Sequence, residues 1–225
     1  MVERSLRESW SALGGTSGIK VNLSASPMPA LSQRFDEALQ FAASIHRQQM
    51  RKGTTIPYIT HLMAVSSIVG EAGGDEDLMI AGLLHDSIED QGVSRGEIAR
   101  RFGERVASLV EACSDSNTIP KPPWKQRKER YIAHLQKAGP DVRFISVADK
   151  LHNARSILTD LKVLGSAVWD RFNASRDDIL WYYRSVISAL REGWTHLLVQ
   201  ELEQVVDQIE RLSESARPAG SGYAG

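Results

Sequence analysis

Apolar residues recur with a helical period along nearly the whole of this chain. From Leu31 onward, Phe35, Ala38, Leu39, Ala42, Ile45 and Gln49 share one side of a helix of about 20 residues that starts at Ser32 or Asp36. The polar loop Arg51 to Pro57 interrupts the pattern; Ile59 to Ala72 resumes it and stops at Gly73-Gly74. Asp75 is placed to cap the next helix, whose apolar run from Asp77 to Leu84 predicts burial and continues into His85-Asp86-Ser-Ile-Glu89-Asp90. Ser94 and Glu97 have capping-box spacing for a short helix ending at Gly103, and another helix follows to about Cys113. Three prolines keep Ser114 to Trp124 from being helical throughout. Trp124 to Lys137 is predicted helical, as is the segment that opens at Pro140 with Phe144, Ile145, Ala148 and Leu151 on its apolar side and runs to Ile157. Two long helices, 166–191 and 193–213, complete the chain. No run alternates with period two for long enough to make a strand, so the predicted fold is all-α, a compact bundle of many helices.

Residues 1–30, rich in Ser, Gly and Ala, read as a flexible leader, 31–213 as a single domain ending in a C-terminal helix, and 214–225 as a disordered tail. The stripe Leu197, Leu198, Leu202, Val205, Val206, Ile209 and Leu212 on the last helix is expected to pack within the chain, with a homo-oligomer contact as its other use. The chain has 225 residues, 42% hydrophobic and 24% charged, enough for one sizeable core. Lys plus Arg number 27 against 28 for Asp plus Glu, a net charge of −1. That balance argues against a nucleic-acid partner and requires any anionic ligand to meet a local patch. The single cysteine, Cys113, excludes an intramolecular disulfide and a cysteine-based zinc site and fits a reducing compartment. No apolar segment is long enough to span a membrane and no secretory signal is evident, so a cytoplasmic location with no membrane association is expected.

Candidate chemistry concentrates at His85, Asp86, Glu89 and Asp90, which helical spacing brings onto neighbouring positions. Three carboxylates so close raise one another's pKa unless a cation joins them. His61, just inside the helix from Ile59, and Asp149, set between Val147, Ala148 and Leu151, are the further ligand candidates. A buried carboxylate such as Asp149 is costly unless paired or bound to metal, and Asn153 lies one turn beyond it. Two His and two Asp make a mixed nitrogen and oxygen set suited to manganese, iron or zinc with open positions. Such an ion lowers the pKa of bound water, and hydrolysis is the natural use.

These residues stand in the order and setting of the HD superfamily of metal-dependent phosphohydrolases. His46-Arg-Gln-Gln-Met-Arg-Lys52, Pro57-Tyr-Ile-Thr-His61, Leu83-Leu-His-Asp-Ser-Ile-Glu-Asp90 and Val147-Ala-Asp-Lys-Leu-His-Asn153 resemble the hydrolase domain of the RelA/SpoT alarmone enzymes, over about Arg34 to Leu190, and the chain is similar to the stand-alone small alarmone hydrolases. The resemblance implies a manganese-dependent enzyme that removes the 3′-diphosphate of (p)ppGpp by a metal-activated water, releasing pyrophosphate and GDP or GTP. It implies His61, His85, Asp86 and Asp149 as metal ligands, Glu89 and Asp90 as catalytic residues, and Arg51, Lys52 and Asn153 as substrate contacts. Another phosphorylated nucleotide such as (p)ppApp or NADPH is the alternative substrate, and a non-catalytic nucleotide sensor the alternative role. Leu62 departs from the family's proline after the histidine, and Met50 and the Gly53 to Ile56 loop also vary, which leaves base and ribose contacts less defined than the metal site. Two regions carry open expectations. Lys121, Lys125, Arg127, Lys128 and Arg130 form either a lid reaching the 5′-phosphates or a solvated helix face, and one or two of Trp181, Tyr182 and Tyr183 line the pocket.

Overall fold

The computed structural model describes residues 31–114 and 122–215. The expected leader at 1–30, Lys121 and the tail beyond 215 lie outside the described residues. Among those described the secondary structure is helical, with no strand beyond an isolated bridge between Met50 and Pro57. No helix among them is long and apolar enough to cross a membrane.

Helix α1 (Gln33–Ile45) is capped by the Ser32 hydroxyl and ends four residues before Gln49. His46 closes it and is itself buried, so the chain turns inward where the apolar period alone predicts another turn of helix. Helix α2 (Ile59–Glu71) follows the polar loop, and α3 (Glu76–Leu84) starts at Asp75, whose carboxylate accepts from the Leu78 N–H. The predicted continuation through His85 and Asp86 does not occur. Helix α3 stops at Leu84 and a separate short helix, α4 (Ser87–Gln91), begins after Asp86, whose φ of −99° and ψ of 2° are not helical.

Helices α5 (Arg95–Phe102) and α6 (Glu104–Cys113) match their signals, with the Ser94 hydroxyl accepting from the Glu97 N–H and Gly103 between them at a φ of +93°. Helix α7 (Trp124–Lys137) and α8 (Pro140–Leu164), with proline in its first turn, also start where expected. Helix α8 runs past Ile157 and takes part of the stretch assigned to the following helix. That helix is also shorter at its start, because a 3-10 turn (Gly165–Arg171) and the Ser175 cap precede α9 (Arg176–Arg191). The last helix, α10 (Leu197–Ser215), extends into the segment expected to be a disordered tail.

Helix α8 is the central element. Ile145, Ser146, Val147, Ala148 and Asp149 are buried in succession, so it is enclosed on all sides, by α2, α3, α6 and α10. The stripe of α10 packs on α8 and α9 of the same chain through Leu198, Leu202, Val205, Val206 and Ile209, whereas Leu197 points to solvent at 72% exposure. Helices α2 and α3 approach closely at Gly82, where a Cβ would stand 3.2 Å from Ser66 Cα. That approach sets the distance between the two helices that carry His61 and lead to His85.

Candidate metal centre and nucleotide cavity

Three segments bring the polar groups together: the first turn of α2, the break between α3 and α4, and the middle of α8. His61 and His85 are 1% and 3% exposed. Their Nε2 atoms are buried and face carboxylates. Asp86 Oδ2 lies 3.0 Å from His85 Nε2 and 3.9 Å from His61 Nε2, and Asp149 Oδ1 lies 3.7 Å and 3.2 Å from the same two atoms. Donor atoms of His61, His85 and Asp86 fall within 4.8 Å of one another. The helix break makes this possible. Adjacent residues of a continuous helix diverge by about 100° around the axis, so His85 and Asp86 would face different directions had α3 continued.

The other ring nitrogens fix these imidazoles. His85 Nδ1 lies 2.9 Å from the Gly82 carbonyl, to which it donates, and His61 Nδ1 lies 2.7 Å from His152 Nδ1. Burial together with His61 and Arg51 pushes His152 down to about 4, so it is neutral near pH 7 and can accept from His61. Each Nε2 is thereby turned toward the carboxylates, the arrangement that metal-ligating histidines require. Burial opposes charge on His85, yet Asp86 and Asp149 raise it well above the ordinary imidazole range. Burial likewise opposes ionisation of Asp86 and Asp149, but His85 for the first and Lys150 with both imidazoles for the second hold them below the usual carboxylate range. Two imidazoles and two ionised carboxylates at these separations fit a divalent cation, which would replace the proton they share.

The surrounding groups orient the carboxylates. Tyr58 donates its hydroxyl to Asp86 Oδ2 at 2.5 Å, Lys150 Nζ donates to Asp149 Oδ2 at 2.5 Å, and Asn153 Nδ2 donates to Asp149 Oδ1 at 2.6 Å. Arg51 donates to Asn153 Oδ1 at 2.9 Å and Lys52 to Asn173 Oδ1 at 2.8 Å. Tyr58, Lys150 and His152 sit inside the sequence words quoted above, next to ligand candidates, yet had no assigned role. Residue type and spacing do not reveal hydrogen bonds made across the fold.

Glu89, Asp90, Asp86 and Asp149 line a small cavity of ≈170 Å³. It shares Tyr58, Glu89, Lys128, Lys150, Asn153 and Tyr182 with a larger one of ≈790 Å³, within the usual size of a small-molecule site. Seven cations line the larger cavity, Arg51, Lys52, Arg127, Lys128, Lys150, Arg155 and Arg171, against two acids, Glu89 and Asp160. A chain of net charge −1 thus carries a concavity with a positive lining, although Lys150, Arg155 and Arg171 pair with Asp149, Glu201 and Asp160. Of the basic stretch, Arg127 and Lys128 reach this cavity, whereas Lys125 lies over the Trp181 ring, 3.0 Å from its centroid. Tyr182 and Tyr183 line the cavity and Trp181 does not. Cys113 borders the small cavity, where desolvation pushes its thiol up to about 11.

An HD-domain family model matches residues 38–180. The chain belongs to the HD-domain family. This HD-domain protein is 33% identical over 180 residues to guanosine-3′,5′-bis(diphosphate) 3′-pyrophosphohydrolase MESH1 of Drosophila melanogaster, covering 79% of this chain and 95% of the relative. MESH1 of Mus musculus is 38% identical over 126 residues, 54% of this chain and 68% of the relative. A solved structure described as a metazoan ortholog of SpoT that hydrolyses ppGpp superposes with a TM-score of 0.68 at 32% identity, covering 80% of this chain and 97% of that one. The all-helical HD architecture is common to them.

Proposed function

We propose that this HD-domain protein is a manganese-dependent hydrolase that removes the 3′-diphosphate of (p)ppGpp, giving pyrophosphate and GDP or GTP. The observation that carries this reading is the pair of buried His61 and His85 Nε2 atoms facing Asp86 and Asp149, two carboxylates that line a small acidic cavity adjoining a larger one bordered by seven cations. The likeness to relatives described as ppGpp 3′-pyrophosphohydrolases supports the substrate.

His61, His85, Asp86 and Asp149 would hold the ion. When bound, a divalent cation supplies Lewis acidity at the phosphorus and brings the attacking water to a lower pKa. Water adds to the phosphorus attached to the ribose 3′ oxygen, and the bond between that phosphorus and the 3′ oxygen breaks. Glu89 and Asp90, on α4 beside Asp86, take the proton of the water and return one to the departing 3′ oxygen. Lys150 and Asn153 keep Asp149 oriented by their hydrogen bonds. Arg51 and Lys52 meet the phosphate charge, a guanidinium supplying paired donors and an ammonium a point charge. Asn153, already in contact with Arg51, contacts the sugar side of the nucleotide.

The test is pyrophosphate release from ppGpp by metal-depleted protein with and without manganese, beside ppApp, NADPH and nucleoside triphosphates. Manganese-dependent release from ppGpp, lost in His85→Ala and Asp149→Ala together with bound metal, and lost in Glu89→Ala with metal retained, is expected. Faster turnover of ppApp or NADPH would replace the substrate, and tight binding without turnover of any of them would make the protein a sensor.

A further inference from the structure

Asp90 is an exposed side chain in the last turn of a five-residue helix. Gln49, 41 residues earlier, donates from Nε2 to Asp90 Oδ2 at 2.8 Å. We propose that Gln49 is a positioning residue for Asp90, locked into its donating orientation by His46 and Gln91; the proposal rests on the hydrolase reading above.

The orientation of the Gln49 amide follows from its other contacts. Its Oε1 accepts from Gln91 Nε2 at 2.6 Å and lies 2.6 Å from His46 Nδ1. His46 with its proton on Nδ1 donates to the amide oxygen; Gln91 Nε2, 3.3 Å from the same ring nitrogen, is then also a donor and makes no hydrogen bond to it. A flipped amide would set its N–H groups against two donors and its oxygen against a carboxylate, so all three interactions would be lost together. His46 is 2% exposed and its ring is stacked on Tyr58 with centroids 5.5 Å apart. The backbone anchors the same corner, with Gln49 N–H donating to the His46 carbonyl and Tyr58 N–H to the Gln49 carbonyl. Tyr58 in turn donates to Asp86. One connected frame therefore fixes Asp86 from one side and Asp90 from the other, and it forms because α1 ends at Ile45, four residues short of Gln49.

Gln49 is a positioning residue, not a catalytic one, so its loss alters turnover and leaves the metal in place. The experiment compares wild type, Gln49→Glu, Gln49→Leu and Gln91→Met in pyrophosphate release from ppGpp, with manganese affinity measured separately by spin-resonance titration. Gln49→Glu puts an oxygen against the Asp90 carboxylate. Both Gln49 variants are expected to lose roughly 10- to 100-fold in kcat, the scale of a misplaced catalytic group. KM should stay within about twofold, because ground-state binding does not use Asp90, and manganese affinity should not change. Gln91→Met, which removes one of the two donors, should show the same split with a smaller loss. Folded variants with wild-type kcat, or with the loss in KM or in metal affinity, would overturn the proposal. If wild type releases no pyrophosphate from ppGpp, the hydrolase reading is what has failed. Crystal structures of wild type and Gln49→Leu then decide the geometry: an Asp90 rotamer unchanged by the substitution overturns the proposal and a changed one upholds it.

Discussion

Single hydrogen bonds decide what the residues of this site can do. Tyr58 donates to Asp86 Oδ2, and burial with Asp86 drives the phenol far above its ordinary range, so it remains a donor at every physiological pH. Tyr58→Phe removes that donor without changing shape. Manganese affinity is expected to fall about 10- to 100-fold, as for other groups that orient a ligating carboxylate, and titration calorimetry on the folded variant checks it. An unchanged affinity would mean that Asp86 is held by its imidazole neighbours alone. The identities of His61, His85, Asp86 and Asp149 are readable from residue type, because few structures other than a metal site reward two histidines and two acids in apolar helices. The roles of Tyr58, His152 and Lys150 are not readable that way, since tyrosine, histidine and lysine have many ordinary uses.

At the scale of the element, the helix ends obey local rules and the interruption between α3 and α4 does not. Asp75 caps α3 through the Leu78 N–H and pairs with Arg105 at 2.6 Å. Burial opposes its ionisation, but the Leu78 N–H and the Arg105 guanidinium outweigh it and keep the carboxyl below its usual range. A depressed folded pKa stabilises above the unfolded value and is lost as pH falls through the folded one. Asp75→Ala should therefore cost about 1 kcal/mol near pH 7, and its deficit against wild type should shrink as pH falls below about 4. Calorimetric melting across pH 3 to 7 measures this; a deficit independent of pH would remove the charge from the explanation. Gly82→Ala tests the approach of α2 and α3. Alanine favours a helix by about 1 kcal/mol, but its Cβ would stand 3.2 and 3.3 Å from Ser66 Cα and N, and backbone yields poorly. A net destabilisation of about 1 kcal/mol is expected, with weaker manganese binding because His61 and His85 are carried by the displaced helices. The break at His85-Asp86 was not legible, since no glycine or proline marks it; Ser87 is fully buried just after it, and packing overrides the helical period.

For the whole molecule, an ion held at the proposed site would be a ligand of the folded chain and not of the unfolded one. Manganese at 100 times its dissociation constant should stabilise by about 2.7 kcal/mol, seen as a higher Tm in scanning calorimetry that chelation reverses. His85→Ala should melt at one temperature with or without the metal, and a metal-dependent rise in that variant would place the stabilising ion elsewhere. The cavity is also a property of the whole. Its cations come from the loop after α1, from α7, from α8 and from the 3-10 turn, so no short stretch of sequence displays the patch.

By itself the sequence determined the helical class, most helix starts and the chemical identity of the metal-site candidates. Apolar period, caps and residue type are local properties, written within a few neighbouring positions. Only the tertiary structure decided that His85 and Asp86 face one point, that Gln49 reaches Asp90 and that seven scattered cations surround one cavity. Those facts depend on how helices distant in sequence pack around α8, and packing is set by the sum of many weak apolar contacts that no single segment contains.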